Sequence, residues 1–330
     1  MKIIGWRLVV VAALLVASWT SEAQTPPRRI GVLINGSPSP LFDTIKRNLL
    51  SDFSSLGYSE GRDIVIEPRF ADLKLDRLPG LASDLAAANV DLILALGGPA
   101  SVAAQKATTT IPIVFSVVTD PVALKLVASM EKPGGNLTGI TSLDREQATR
   151  QFELIKAAFP GISRVAIISD QTIPGGDEQG LSPIDRANQA AAKAVGIEPQ
   201  LVKLKNAAEL EAAFADVAKN GAQAVLVLEV PVPLAARKQI GELAVRHRLP
   251  SMFPGGQSDA GGVITYGTNV ADTWRHFAGI SGKILKGEKP GELPVIVLTK
   301  RELVVNLQAA KAIGATVSPE VVKRADRIIE

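Results

Sequence analysis

A chain of 330 residues is long enough for two domains of ordinary size. Hydrophobic residues make up 46% and aromatics only 4%, an aliphatic bias that suits helices packed on parallel sheets. A net charge of +3 with the two signs interspersed offers no nucleic-acid surface, and the absence of cysteine excludes disulfides, thiolate metal sites and a lipid anchor on an N-terminal Cys.

Residues 1–23 have the pattern of a secretory signal. Lys2 and Arg7 supply the positive start, Leu8 to Ser18 the short apolar run, and Ser21-Glu22-Ala23 the small residues of a cleavage site. Cleavage after Ala23 and release into the periplasm, without a lipid anchor, are expected. Trp6 and Trp19 leave with the signal, so Trp274 is the one tryptophan of the mature chain and is expected to report on closure.

The mature sequence then alternates strand and helix patterns. Arg29 to Asn35 is an apolar run ending at Gly36-Ser37-Pro38. Phe42 to Leu56 has helical spacing closed by Gly57. Ile64 to Arg69 reads as a strand, Leu78 to Ala88 as an amphipathic helix, and Leu92 to Leu96 as a buried strand followed by Gly97-Gly98-Pro99. Short strands alternating with helices indicate right-handed βαβ units on a parallel sheet.

The order repeats. Arg29 to Asn35 resembles Arg164 to Asp170, the helix end Leu56-Gly57 resembles Val195-Gly196, Leu92 to Pro99 resembles Ala224 to Pro231, and Ile111 to Phe115 resembles Leu249 to Phe253. The four matches keep their order at an offset of roughly 135 positions, so the chain is read as two similar doubly wound α/β lobes. Ligands of such sheets sit beyond the carboxyl ends of the strands, and two facing lobes would share one cleft.

The loops after the strands therefore hold the candidate ligand-binding residues. In the first lobe these are Asn35, Ser37, Gly98, Ser101, Thr119 and Asp120. Free amides at the helix start after Gly97-Gly98, with the Ser101 hydroxyl, suit an anionic group, and Asp120 suits an ammonium. The second lobe contributes Asp170 and Glu229, and Tyr266 lies where a crossing back to the first lobe begins. The same residue types also serve as ordinary turn and cap residues, a reading that stays open here.

Enzymatic signatures are weak. No G-x-G-x-x-G or P-loop is present, and Gly256-Gln257-Ser258-Asp259-Ala260 lacks the last glycine of a nucleophile elbow. Two histidines, His247 and His276, and no cysteine argue against a transition-metal site.

A set of short motifs spread from about Arg29 to Glu330 carries a family resemblance. They include Asp76-Arg77-Leu78-Pro79, Ile111-Pro112-Ile113-Val114-Phe115, Pro133-Gly134-Gly135-Asn136-Leu137-Thr138-Gly139, His247-Arg248-Leu249-Pro250 and Glu302-Leu303-Val304-Val305-Asn306-Leu307. With these the chain resembles the ABC transporter substrate-binding proteins of the branch that has tryptophan- and tyrosine-binding members. The resemblance implies a periplasmic binding protein type 1 fold with a three-segment hinge, no catalysis and no cofactor. It implies lobe boundaries of 28–141 plus about 267–300, and 142–266 plus about 301–330. The implied partners are a small-molecule ligand, an amino acid or aromatic compound among the candidates, and an ABC permease of the inner membrane. No nucleic acid is expected, and the chain is expected to act as a monomer. Pro174-Gly175-Gly176-Asp177 and Glu229-Val230-Pro231 depart from the family's pattern where the second lobe faces ligand, which leaves the ligand open. A ligand-sensing receptor for a membrane signalling protein, and a secreted α/β hydrolase, are the alternative functions.

Overall fold

The computed structural model describes residues 26–330 except 39, 117, 119, 142–144, 174 and 269. The expected signal segment with its cleavage point, and Thr119, lie outside the described residues. The chain begins with β1 (Arg28–Ile34), α1 (Pro40–Ser55), β2 (Ile64–Phe70), α2 (Leu78–Ala87), β3 (Leu92–Leu96), α3 (Gly98–Ala107), β4 (Ile113–Ser116) and β5 (Leu137–Thr141). It continues through α4 (Arg145–Ala158), β6 (Arg164–Asp170), α5 (Pro183–Ala194), β7 (Glu198–Leu204), α6 (Leu210–Lys219), β8 (Ala224–Val227), α7 (Pro231–Ala235), α8 (Arg237–Arg246), β9 (Ser251–Phe253) and β10 (Ile264–Thr268). Last come α9 (Val270–Leu285), β11 (Ile296–Val297), β12 (Arg301–Asn306), α10 (Leu307–Ala312), α11 (Pro319–Lys323) and β13 (Arg327–Ile329).

The strands form two sheets, ordered β11-β5-β4-β3-β1-β2 and β13-β12-β10-β9-β8-β6-β7. Reading β6 to β10 for β1 to β5 makes five consecutive strands of the two orders coincide, so the repeat legible in the sequence is a repeat of topology. All pairings are parallel except β10 with β12. Continuous apolar strands such as Leu92–Leu96 and Ala224–Val227 are buried on both faces because helices cover both faces of each sheet. The cores divide accordingly. Phe53, Phe277 and Leu94 fill one side of the first sheet and Phe115, Leu85 and Ala104 the other. Phe152, Ile167 and Val305 fill one side of the second sheet, and Phe214, Val225 and Phe253 the other.

The chain changes sheet three times: after β5, after β10, and between β11 and β12. Each crossing leaves or enters at the carboxyl-terminal edge of a parallel strand, or at the start of the antiparallel β12 beside it. They are also tied together. The Leu298 amide donates to the Thr141 carbonyl at 2.9 Å, and Lys300 pairs with Asp272 at 3.5 Å. Trp274 packs edge-on against Phe277 within the first lobe and is 6% exposed. Among the described residues no helix is long and apolar enough to cross a membrane.

Candidate functional site

On the first lobe the ledge is built by three adjacent strand ends. Gly97 follows β3, and its amide donates to the Ser116 carbonyl at 2.8 Å on the β4 side. On the β1 side stands Asn35, whose Nδ2 donates to the Leu96 carbonyl at 3.3 Å. A Cβ on Gly97 would come within 2.9 Å of that Nδ2, and the backbone there has φ +93°, so only glycine lets β3 turn into α3 beneath Asn35. Ser101 is fully buried and its hydroxyl donates back to the Gly97 carbonyl at 2.7 Å. That bond fixes the turn and spends the hydroxyl proton. Gly98 opens α3 as expected, with Pro99 in its first turn. Ser37 lies on the exposed rim, where its hydroxyl, with Arg77, holds the Asp72 carboxyl below the usual carboxylate range.

Asp120 closes the turn beyond β4. Its Oδ1 accepts from the Ala123 amide at 2.8 Å. Asp170 plays a similar part on the second lobe, where it is fully buried. One oxygen accepts from the amide and hydroxyl of Thr172, at 2.8 and 2.5 Å, and the other accepts from the Val232 amide at the start of α7, at 2.9 Å.

Glu229 differs. It stands just after β8, half-buried, and among the described residues no hydrogen bond or ion pair reaches its carboxylate. Burial pushes its carboxyl up to about 7, against the opposing pull of the Arg301 guanidinium at the start of β12. A carboxyl raised in the folded state stabilises below its unfolded value near 4.5, and that contribution, at most roughly 3 kcal/mol, is lost as pH rises toward 7. The Glu229→Gln protein is therefore expected to melt above wild type at pH 8 and close to it at pH 4.5. An equal difference between the two proteins at both pH values in thermal denaturation would contradict this.

Around β10 the second lobe adds neutral groups. Gln151 of α4 donates to the Tyr266 carbonyl at 3.1 Å, and the Tyr266 side chain packs against the lobe's core. Gln147, one helical turn closer to the cleft, has its Nε2 3.6 Å from where a Cβ on Gly267 would stand. Gly255, after β9, is packed against the backbone of Gly267 and Thr268, and Gln257 follows.

Among the described residues, five side-chain atoms on these two ledges are buried with no protein partner: Asn35 Oδ1 and Ser116 Oγ on the first, Gln147 Oε1, Gln257 Oε1 and Thr268 Oγ1 on the second. Asn35, Ser116, Gln257 and Thr268 are each less than one-tenth exposed. An unmet buried polar atom costs about 1–3 kcal/mol, so several at the strand-end edges of the two sheets make these ledges the candidate site. Of these five residues only Asn35 was among those anticipated from sequence. Ser116 and Thr268 sit at strand ends and were within reach of the same rule. Gln147 and Gln257 lie on a helix and after a turn, where position in the chain gives no signal.

The hydrolase-like motif is dismantled by its contacts. Ser258 accepts from Arg327 at 2.7 Å, Asp259 pairs with Arg237 at 2.9 Å, and His247 lies against Phe214 at the far end of α8. Among the described residues no group of three or more His, Cys, Asp or Glu could hold a metal ion.

Residues 38–329 match the family model described as ABC transporter substrate binding protein. The chain belongs to this family. The binding protein is 26% identical over 294 residues to a tyrosine-binding protein of Clostridioides difficile (strain R20291), spanning 83% of this chain and 77% of that one. Among solved structures it resembles a conserved domain protein from Vibrio cholerae with TM-score 0.83 and 24% identity, over 91% of this chain and 99% of the other. It also resembles an ABC domain in complex with L-Trp from Streptococcus pneumonia, with TM-score 0.82 and 22% identity, over 92% and 100%. These likenesses establish the type 1 periplasmic binding fold, and the family establishes a solute-binding role in ABC transport.

Proposed function

We propose that this binding protein is exported, captures one small polar solute between its ledges, hinges shut over it and presents the closed form to an inner-membrane ABC permease. The observation that carries the reading is the set of buried, partnerless polar atoms at the two facing strand-end edges. Contacts made to both lobes at once exist only when the lobes are together, so ligand draws the population toward closure. The protein acts as a carrier and not as an enzyme, and works as a monomer in the periplasm after cleavage at Ala23. An intact mass beginning at Gln24 is the check on that cleavage. The lobes are read as 28–141 with about 267–300, and 142–266 with about 301–330. The solute is held by Asn35, Ser116 and the start of α3 on one side, and by Gln147, Glu229, Gln257 and Thr268 on the other. An amino acid or a related aromatic compound is in keeping with the tyrosine-binding relative.

Thermal-shift screening of the mature protein against amino acids, aromatic acids and other small metabolites tests this reading. A true solute present at a hundred times its Kd is expected to stabilise by about 2.7 kcal/mol. Stabilisation by none of them, with no change in radius of gyration on their addition, would count against it.

A further inference from the structure

We propose that Leu124 and Gly175 form a latch between the two lobes, which favours their closed arrangement with or without a solute and so sets affinity without touching the solute. The inference rests on the solute-capture reading and adds to it a contact outside the ledges. Leu124 belongs to the first lobe, where it packs against the core that holds Phe115 and Ala104. Gly175 stands between β6 and α5, in a stretch whose Ile173 packs, with Ile184 of α5, against the core of the second sheet. A Cβ on Gly175 would lie 3.1 Å from Leu124 Cδ2 and 3.5 Å from Pro183 Cδ. The leucine therefore reaches the other lobe and ends over a glycine, beside the proline that opens α5. Gly175 has φ +82°, the left-handed region that favours glycine, so the notch under the leucine stays bare.

Each side of the contact is fastened within its own lobe. On the first, the Leu124 amide donates to the Asp120 carbonyl at 3.1 Å and the Leu126 amide to the Pro121 carbonyl at 2.9 Å. Gln105 Nε2 donates to the Lys125 carbonyl at 2.7 Å, and Asp120 accepts from the Ala123 amide at 2.8 Å. On the second, Asp177 gathers the chain beyond Gly175. Its Oδ1 accepts from the amides of Gln179 and Leu181 at 3.0 and 2.9 Å, and its Oδ2 from Arg186 at 2.8 Å. These bonds, that of the Leu181 amide foremost, hold the Asp177 carboxyl below the usual carboxylate range. Surfaces that are already ordered give up little freedom when they meet, so the contact counts toward closure. Neither residue lies in a crossing, so opening of the lobes breaks it. A contact made only in the closed form raises that form's population for every solute alike, and apparent affinity follows the population.

The chain has no cysteine, so a pair of introduced thiols reads this contact without background. In the solute-free mature protein, Leu124→Cys combined with Gly175→Cys is expected to form an intramolecular disulfide, oxidised glutathione taking up the hydrogens, and to run as a shifted band on a non-reducing gel. The single variants Leu124→Ala and Gly175→Ala disturb the latch from opposite lobes. Each is expected to keep the wild-type circular dichroism and to show a larger solute-free radius of gyration in X-ray scattering. Each is also expected to bind L-tyrosine and L-leucine more weakly by one common factor, roughly fivefold, so that the ratio between the two probes is kept. No disulfide in the solute-free double variant, with wild-type radii in both single variants, overturns the latch and leaves solute capture standing. Loss of affinity for one probe and not the other also overturns it, because the contact would then belong to the solute's site. A disulfide and enlarged radii uphold the latch even if neither probe binds, and the thermal-shift screen then judges solute capture by itself.

Discussion

Asp185→Ala is expected to lower stability by about 3 to 5 kcal/mol, and the melting temperature by on the order of 10 °C. The Asp185 side chain is fully buried at the start of α5, and each of its oxygens is used. Oδ1 accepts from the Ser169 hydroxyl at 2.5 Å. Oδ2 accepts from the Ser182 amide at 2.9 Å and the Ser182 hydroxyl at 2.8 Å, and faces Lys203 Nζ at 3.2 Å. Ser182 in turn caps the helix by accepting from the Asp185 amide, with Pro183 in the first turn, which completes a capping box. Truncation would leave the buried hydroxyls of Ser169 and Ser182 without their acceptor and remove the carboxylate that faces Lys203. Lys203 also donates to the Gly180 carbonyl, so the segment that leads into α5 is tied to this anchor. That segment touches the first lobe: Leu124 comes within 3.1 Å of where a Cβ on Gly175 would stand. The loss should therefore loosen the cleft's outer edge as well as the fold. Arg164→Ala provides the contrast. Its pair with Glu198 is 40% and 66% exposed, so the expected loss is under about 1 kcal/mol. Thermal denaturation separates the two, and an Asp185→Ala protein melting within a degree or two of wild type would show that the cluster adds no stability.

Gly255→Ala is expected to cost about 3 kcal/mol, toward the upper end for overpacking, and to abolish high-affinity binding. A methyl at this position would lie 2.3 Å from the Thr268 carbonyl oxygen and 2.6 Å from the Gly267 carbonyl carbon. Both are backbone atoms of β10, and no side-chain rotation relieves the contact. The turn that carries Gln257 would have to lift off the strand end that carries Thr268, separating two of the groups assigned to the solute. Chemical denaturation together with calorimetry on the folded fraction checks both parts. Unchanged affinity in a destabilised protein would mean that Gln257 and Thr268 need not be held together for binding.

Much of this architecture could be read from the residues, and the reason is local. Apolar runs such as Leu92–Leu96 and Ala224–Val227 announce buried parallel strands, and the duplicated order of four segments carries the two-lobe topology. Strand ends point to the cleft in any doubly wound sheet, which is why Asn35 and Glu229 could be singled out. What the chain order does not show is which polar groups are already satisfied. Asp170 and Glu229 both stand at the ends of buried strands, yet one is filled by Thr172 and Val232 while the other meets no donor among the described residues. Ser101 likewise turns inward to Gly97, a bond that depends on how β3 enters α3. Gln147 reaches the site only because Gln151, a turn later, is fastened to the Tyr266 carbonyl of a strand more than a hundred residues away. Hydrogen-bond saturation is a tertiary property, so the candidate site sharpened once the partners were known.

The claim that a solute is held between the two strand-end ledges is tested most directly by a crystal structure of the mature protein with its tightest-binding probe. The expected result is a ligand whose polar atoms lie about 3 Å from Glu229, Gln257 and Thr268 on one lobe and from Asn35 on the other. A ligand bound elsewhere, or in the cleft with those oxygens still unpaired, would contradict it.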